Sequence, residues 1–291
     1  ISINREAGEL LFEPVSGIGS YYVYYMPYKY EGPRAYYPKG VYYMPENTAD
    51  EEWLETTTKP IALNCTVKEI QSINAFNSFY PMEVIATAKE TKALLSKNSN
   101  KSFIVFPEDR EHSIRMKNDL PQRWINSGPT KSFTGNADRG EYFAFQLGIY
   151  GLKNLHSVKV SFPDLKSATG KIKKKKNISC INTDGTKYDG TVYSNTVNVE
   201  EGKVQAFWCG IHIPENILTG LYSGKATIQS AEGSETINLK IKVSSSVTHN
   251  GGIDHPEKMT RLKWLNSTLA QENKVIAPYT PLTVTNYTIS L

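Results

Sequence analysis

The stretch Thr236-Ile-Asn-Leu-Lys-Ile-Lys-Val243 decides how this chain is to be read. Ile237, Leu239, Ile241 and Val243 stand on alternate positions, with Asn238, Lys240 and Lys242 between them. A period of two puts the apolar set on one face of a strand and the polar set on the other, so the pattern specifies a half-buried antiparallel strand. Neighbouring segments follow the same grammar. Ser157-Val-Lys-Val-Ser-Phe162 alternates, Glu141–Tyr150 and Val204–Ile213 are long β runs, and Pro214-Glu-Asn with Thr219-Gly220 turns the chain into Leu221–Gln229. Strands at this spacing predict an antiparallel two-sheet sandwich over 131–246, with Phe143 or Phe145, Val204, Trp208 and Leu239 in its core.

Upstream, residues 1–86 read as a second β domain, jelly-roll-like and lacking its first strands. Tyr21-Tyr-Val-Tyr-Tyr-Met26 and Val41-Tyr-Tyr-Met44 are strands between Gly- and Pro-containing turns, and Val67–Gln71 alternates. Residues 87–130 form a connector with the chain's one good helix, Lys89–Lys97, which Thr87 caps with Glu90 three residues on. Trp124 is expected to anchor the rest of the connector.

Downstream, 247–291 reads as a linker and the start of a missing catalytic barrel. Ser244-Ser-Ser and Gly251-Gly252 precede Arg261-Leu-Lys-Trp-Leu-Asn266, a short strand with Leu262 and Trp264 on one side. That segment is expected to dock on the chain's own β domains, because burying a large apolar side chain such as Trp264, Leu265 or Leu269 is worth roughly 1.5–3 kcal/mol. The expected class is all-β: two β-sandwich or jelly-roll-like domains in tandem, one short helix, and a truncated C-terminal segment leading into a barrel. Both ends are expected to be cuts.

Composition narrows the function. Net charge is +4, and the one dense basic run, Lys171-Ile-Lys-Lys-Lys-Lys176, reads as a solvated loop without a basic aromatic face, which argues against a nucleic-acid partner. No apolar run is long enough to span a membrane. Cys65, Cys180 and Cys209 lack CxxC spacing, which excludes a zinc ribbon or a disulfide scaffold; buried free thiols are the expected state, with one pair able to bridge after export. The five His show neither HxH nor HExxH spacing. Asn182-Thr-Asp-Gly185 and Asp189-Gly190 are turn signals without the closing Glu of a calcium loop. Glu108, Asp109 and Glu111 beside His112 form an acidic turn expected to face solvent, where nothing separates the carboxyl pKa values as acid–base work requires. No catalytic, metal-binding or cofactor-binding residue is assigned, and no cofactor is expected. Eighteen Tyr outnumber Phe and Trp together. Tyr28, Tyr30, Tyr36 and Tyr37 lie near turns; of these Tyr28, Tyr36 and Tyr37 are candidate sugar contacts, with core or interface packing as the other reading.

Longer motifs carry a resemblance. Arg139-Gly-Glu-Tyr-Phe-Ala-Phe-Gln-Leu-Gly-Ile-Tyr150 and Ile213-Pro-Glu-Asn-Ile-Leu-Thr-Gly-Leu-Tyr-Ser-Gly224 resemble the sandwich that precedes the catalytic barrel in glycoside hydrolase family 123. Tyr22–Tyr28, Asn77–Glu83 and Phe106–Arg110 are similar to the N-terminal region of large secreted gut-bacterial proteins of that group. Arg261–Thr268 and Ala277–Pro281 are similar to the segment that leads into the barrel. The resemblance implies an accessory region of a glycoside hydrolase acting on glycans that contain N-acetylhexosamines, in a secreted, periplasmic or cell-surface protein. It implies a glycan and a C-terminal catalytic barrel of the full-length protein as partners. The family's acid pair lies in that barrel, so no catalytic residue transfers, whereas Asn266 would lie near substrate at a barrel strand's end. A carbohydrate-binding or adhesive module without catalysis, and a purely structural spacer, are the alternatives.

Overall fold

The computed structural model describes residues 83–168, 170–173 and 177–268, with shorter stretches of 2–56 and 275–290. The chain divides into two compact units, Ile1–Glu69 and Ile70–Leu291. In the first, β1 (Ser2–Ile3) pairs antiparallel with β2 (Gly8–Glu9), β3 (Tyr28–Glu31) pairs antiparallel with β4 (Lys39–Tyr42), and α1 spans Glu51–Thr56. Tyr28 and Tyr30 lie in β3. Tyr36, Tyr37 and the strand read at Val67–Gln71 fall outside the described residues.

The second unit is a β-sandwich. Along the chain come α2 (Ala88–Lys97), β5 (Phe103–Glu108), α3 (Gln122–Ser127), β6 (Ser132–Arg139), β7 (Tyr142–Gly151), β8 (Leu155–Ser161), β9 (Leu165–Lys166) and β10 (Lys171–Ile172). Then follow β11 (Ile178–Cys180), β12 (Asp184–Thr186), β13 (Val192–Ser194), β14 (Val197–Val199), β15 (Val204–His212), β16 (Gly220–Ser230) and β17 (Gly233–Val247). One sheet runs β10-β9-β16-β17-β6, with β8 joining β16 and β14 joining β8; the other runs β11-β15-β7-β5. Every pairing is antiparallel except β6 with β17, which is parallel. The expected all-β class and the sandwich hold.

The two inner faces meet as alternation requires. Phe145, Leu147, Ile149, Phe207 and Ile211 of one sheet pack against Ile228, Ile237, Leu239 and Ile241 of the other. The capped helix appears as read: the Thr87 hydroxyl accepts from the Glu90 N–H at 3.3 Å, and the Glu90 carboxylate accepts from the Thr87 N–H at 2.9 Å. Two further motif residues set the β15–β16 connection. Tyr222 is fully buried and its hydroxyl donates to the Leu218 carbonyl at 2.8 Å, tying the corner together, while Gly224 leaves room for Leu165.

The connector does more than link. It contributes β5 to the second sheet, and its helices and the loop before α3 cover that sheet's outer face with Leu94, Leu120 and Trp124 against Ile104, Phe106 and Tyr150. Strand β7 is therefore buried on both faces along its whole length. Val204 belongs to this outer layer, not the inter-sheet core, and Trp208 is only half-buried: it alternates with the inward-facing Phe207 and Cys209, so it points outward.

Three local readings change. Ser244–Ser246 continues β17 instead of forming a linker. Asp184-Gly185 lies within β12, while Asp189-Gly190 makes the turn, with Gly190 at φ +82°. Residues 260–266 form a 3-10 helix, not a strand. Within the described residues no neighbouring strand pairs with this segment, so its backbone bonds locally instead, beginning with the Leu262 N–H to the Met259 carbonyl at 3.2 Å.

Candidate functional site

At the end of β5 the acidic turn takes a shape the sequence reading did not anticipate. Glu108 is not solvated but buried, because Ile104, Phe106 and Glu108 share the outer face of the strand that α3 covers. Its carboxylate accepts from Arg123 Nη1 at 2.6 Å and from the Trp124 indole N–H, and Arg123 Nη2 reaches Glu83 at 3.0 Å. Burial pushes the Glu108 carboxyl pKa up, opposed by hydrogen bonds from Arg123 and Trp124. Asp109 is more open, and its Oδ1 accepts from the Glu111 and His112 N–H groups and meets His112 Nδ1, each at 2.9 Å.

Oxygens of Glu108 and Asp109 and a nitrogen of His112 lie within 4.8 Å of one another. Two carboxylates in unequal environments are also what acid–base chemistry needs. The bonding argues for a turn clamp instead. Arg123 already neutralises Glu108, the Asp109 oxygen holds the turn, and the buried Gln146 pins the loop from beneath. The Gln146 amide oxygen accepts from the Ile114 N–H at 2.8 Å, and its nitrogen donates to the Asp109 and His112 carbonyls at 2.8 and 3.2 Å.

A second charged cluster lies where β6 turns into β7. Glu141 is fully buried, accepting from Arg110 Nη1 and, at 2.8 Å, from the Asp138 N–H, with Lys258 Nζ at 3.7 Å. The Arg110 guanidinium also stands 5.2 Å over the Phe143 ring. Asp138 accepts from Lys258 Nζ at 2.8 Å and from the Ser244 and Thr248 hydroxyls at 2.6 and 3.0 Å. The Lys258 bond, then that from Ser244, hold the Asp138 pKa down at about 2. A depressed carboxyl pKa stabilises the fold above the ordinary value of 3.8, and that contribution fades as pH falls towards about 2. Gly140 makes the turn possible: it sits at φ +78°, and a Cβ there would meet the Thr248 carbonyl at 2.5 Å.

This clamp ties the tail to the sandwich, and the 3-10 helix that follows lies against β7 and β12. Asn266, the candidate sugar contact, instead accepts from the Thr186 N–H and sits over Gly185, where no side chain would fit beside it. Thr260 is buried, but Trp264 and Leu265 stay 50% and 62% exposed, so these two do not drive the docking as expected, and Leu269 lies outside the described residues.

Beside the β12–β13 hairpin lies an open groove of ≈ 620 Å³, within the usual size of small-ligand sites. Asn182, Tyr193, Asn195, Asn198 and Gln205 are among its lining residues, none of which is charged. Each of the four amides spends one atom internally. Asn182 Oδ1 accepts from the Trp208 N–H at 2.6 Å and Asn198 Oδ1 from the Ser157 N–H at 2.9 Å. Asn195 Nδ2 donates to the Asn182 carbonyl at 3.2 Å and Gln205 Nε2 to the Ala206 carbonyl at 2.7 Å. Among the described residues no hydrogen bond is made by the second atom of these amides, and the Tyr193 hydroxyl is anchored on the Ile181 carbonyl at 2.5 Å, fixing its ring. Oriented neutral donors and acceptors around one aromatic ring suit a hydroxyl-rich, uncharged ligand. Residues such as Asn182 and Asn195 gave no sequence signal of this, because the turns and short strands of 181–205 bring them together only in the folded chain.

Comparison with known proteins places one part of the chain. Residues 1–73 match the family model of the glycoside hydrolase 123 N-terminal domain, a span that nearly coincides with the first compact unit. A search of curated proteins finds no match. Among solved structures, a family 123 glycoside hydrolase from Clostridium perfringens, described as acting in glycolipid glycan hydrolysis, is 16% identical with a TM-score of 0.39, over 50% of this chain and 28% of that one. The CooA pilin subunit from enterotoxigenic Escherichia coli is 12% identical with a TM-score of 0.27, over 50% and 99%. Likeness of that size says nothing of activity. The family match is confined to residues 1–73, which are similar to the glycoside hydrolase 123 N-terminal domain, and the chain spans 28% of the Clostridium perfringens protein.

Proposed function

We propose that this chain is an accessory, non-catalytic β region of a glycoside hydrolase, exported or displayed at the cell surface, which holds glycan beside a catalytic barrel elsewhere in the full-length protein. The match of residues 1–73 to the family 123 N-terminal domain carries this reading. In the second unit the uncharged groove at Tyr193 supplies a place for a neutral sugar, and N-acetylhexosamine-containing glycans are the proposed class. In the first unit Tyr28, Tyr36 and Tyr37 remain proposed stacking residues; Asn266 is proposed as a contact through its amide nitrogen, since its oxygen is engaged. The bonding of Glu108 to Arg123 and Trp124 favours a structural role for the acidic turn over catalysis.

A second reading, a carbohydrate-binding or adhesive module with no catalytic partner, draws on the same groove. The expected result for both is that the chain alone leaves aryl N-acetylhexosaminides unhydrolysed. Turnover that disappears on Glu108→Gln or Asp109→Asn, in folded variants, would overturn them. The two separate on the full-length protein: activity there that this chain lacks supports the accessory role, and its absence supports the binding module.

A further inference from the structure

Cys180 and Cys209 are direct partners across β11 and β15, and both side chains are buried in the inter-sheet core. Which kind of pair they form follows from the next rung. The Ile181 N–H donates to the Trp208 carbonyl at 2.9 Å, so 181 and 208 form a hydrogen-bonded pair. Antiparallel ladders alternate, and Cys180 with Cys209 is therefore a non-hydrogen-bonded pair, whose Cα atoms stand about 4.5 Å apart with side chains close together. That separation lies inside the range of about 4.4–6.8 Å that a disulfide spans. The Cys209 thiol donates to the Phe207 carbonyl at 3.6 Å.

We propose that Cys180 and Cys209 are a site of covalent cross-linking, forming a cross-strand disulfide by exchange with a small-molecule or protein disulfide oxidant. The structure holds both as thiols. One thiolate attacks a sulfur of the oxidant R–S–S–R, breaking its S–S bond and releasing R–S⁻. The second thiolate then attacks the mixed disulfide at the protein sulfur and releases the other R–S⁻. The two protons lost by the cysteines leave two R–SH, so two cysteines are oxidised as one disulfide is reduced. Cys180 is the first nucleophile. The Cys209 side chain beside it holds its pKa below the ordinary thiol value, whereas burial pushes Cys209 up. Access comes through β11, a three-residue edge strand that can open without unravelling the rest of the sheet. The bond would join the β11 edge to central strand β15 and close the loop that carries Asn182, Tyr193, Asn195 and Asn198 of the groove. Cys65 takes no part.

The test is to fold the chain in a buffer of oxidised and reduced glutathione, unfold it in N-ethylmaleimide without reductant, and measure intact mass and peptide links. We expect maleimide at Cys65 alone, a peptide pair joining Cys180 to Cys209, and a Tm higher by roughly 5–10 °C than in the reduced chain. Cys65→Ser should take up no maleimide and keep the Tm difference, and Cys180→Ala should lose that difference. Maleimide or glutathione on Cys180 or Cys209 after oxidative folding, or a bridge from Cys65 to either, overturns the proposal.

Discussion

Glu141→Ala is expected to destabilise the second unit by about 3–5 kcal/mol, read as a lower urea midpoint at unchanged slope. Glu141 is fully buried at the base of β7, and its carboxylate is the acceptor for Arg110 Nη1 and for the Asp138 N–H. Removing it leaves a largely buried guanidinium without its anion, and that uncompensated charge costs more than the ion pair itself was worth. The chemistry gives an internal control. Because the penalty lies in the orphaned partner, Arg110→Met on top of Glu141→Leu should recover a large part of the loss, whereas Arg110→Met alone should not be silent. The tail should respond as well: Lys258 would lose one of its two carboxylates, so 249–268 should gain amide hydrogen exchange in Glu141→Ala. Additive single and double variants would show that the two residues are not coupled.

Trp124→Ala carries a comparable cost, about 3–5 kcal/mol, for a different reason. The side chain is 1% exposed, stacks on Phe106 at 4.3 Å between centroids, and covers Gly148 so closely that a Cβ there would stand 2.6 Å from its ring. Its removal opens a cavity between α3 and the outer face of β7, and also strips Glu108 of its indole donor. The buried carboxyl then keeps Arg123 but loses a bond that had opposed its rise in pKa, so Glu108 in the variant should titrate higher than in the parent. A carboxyl with a raised folded pKa stabilises below its ordinary value and loses that contribution as pH climbs through the folded pKa. The stability gap between parent and variant should accordingly be wider at pH 7 than at pH 4. A gap that does not change with pH would mean that the indole bond has no effect on Glu108.

The alternation at 236–243 and 157–162 made the sandwich legible, since a period of two with one apolar face has few other solutions. The helix at 88–97 was legible through its capping box and the apolar Leu94-Leu95. The outer layer was harder. Ile104, Phe106 and Glu108 already share one face of β5, and that spacing was the signal that Glu108 is covered; a cluster of three acids in four residues hid it. Glu141 and Gln146 carried a similar signal, as lone polar residues in a run otherwise apolar or small. The family resemblance rested on that same run without saying why: Gly140 turns, Glu141 clamps the tail, Gln146 pins a loop and Gly148 admits Trp124. The 3-10 helix at 260–266 was misread because Leu262 and Trp264 fit a strand's period, and the lack of a partner strand is a tertiary fact. The groove had no local pattern, being assembled from β13, β15 and the loops beside them.

The central claim, that this chain holds neutral glycan without cleaving it, is tested most directly by titrating it with uncharged N-acetylhexosamine oligosaccharides by calorimetry. Charged oligosaccharides and the Tyr193→Ala and Asn195→Ala variants serve as references. The account predicts binding to the neutral series, a loss of at least about tenfold in either variant as stacking or an oriented amide is removed, and no product by chromatography after the titration. Equal binding by the parent and both variants, or a preference for the charged series, would contradict it.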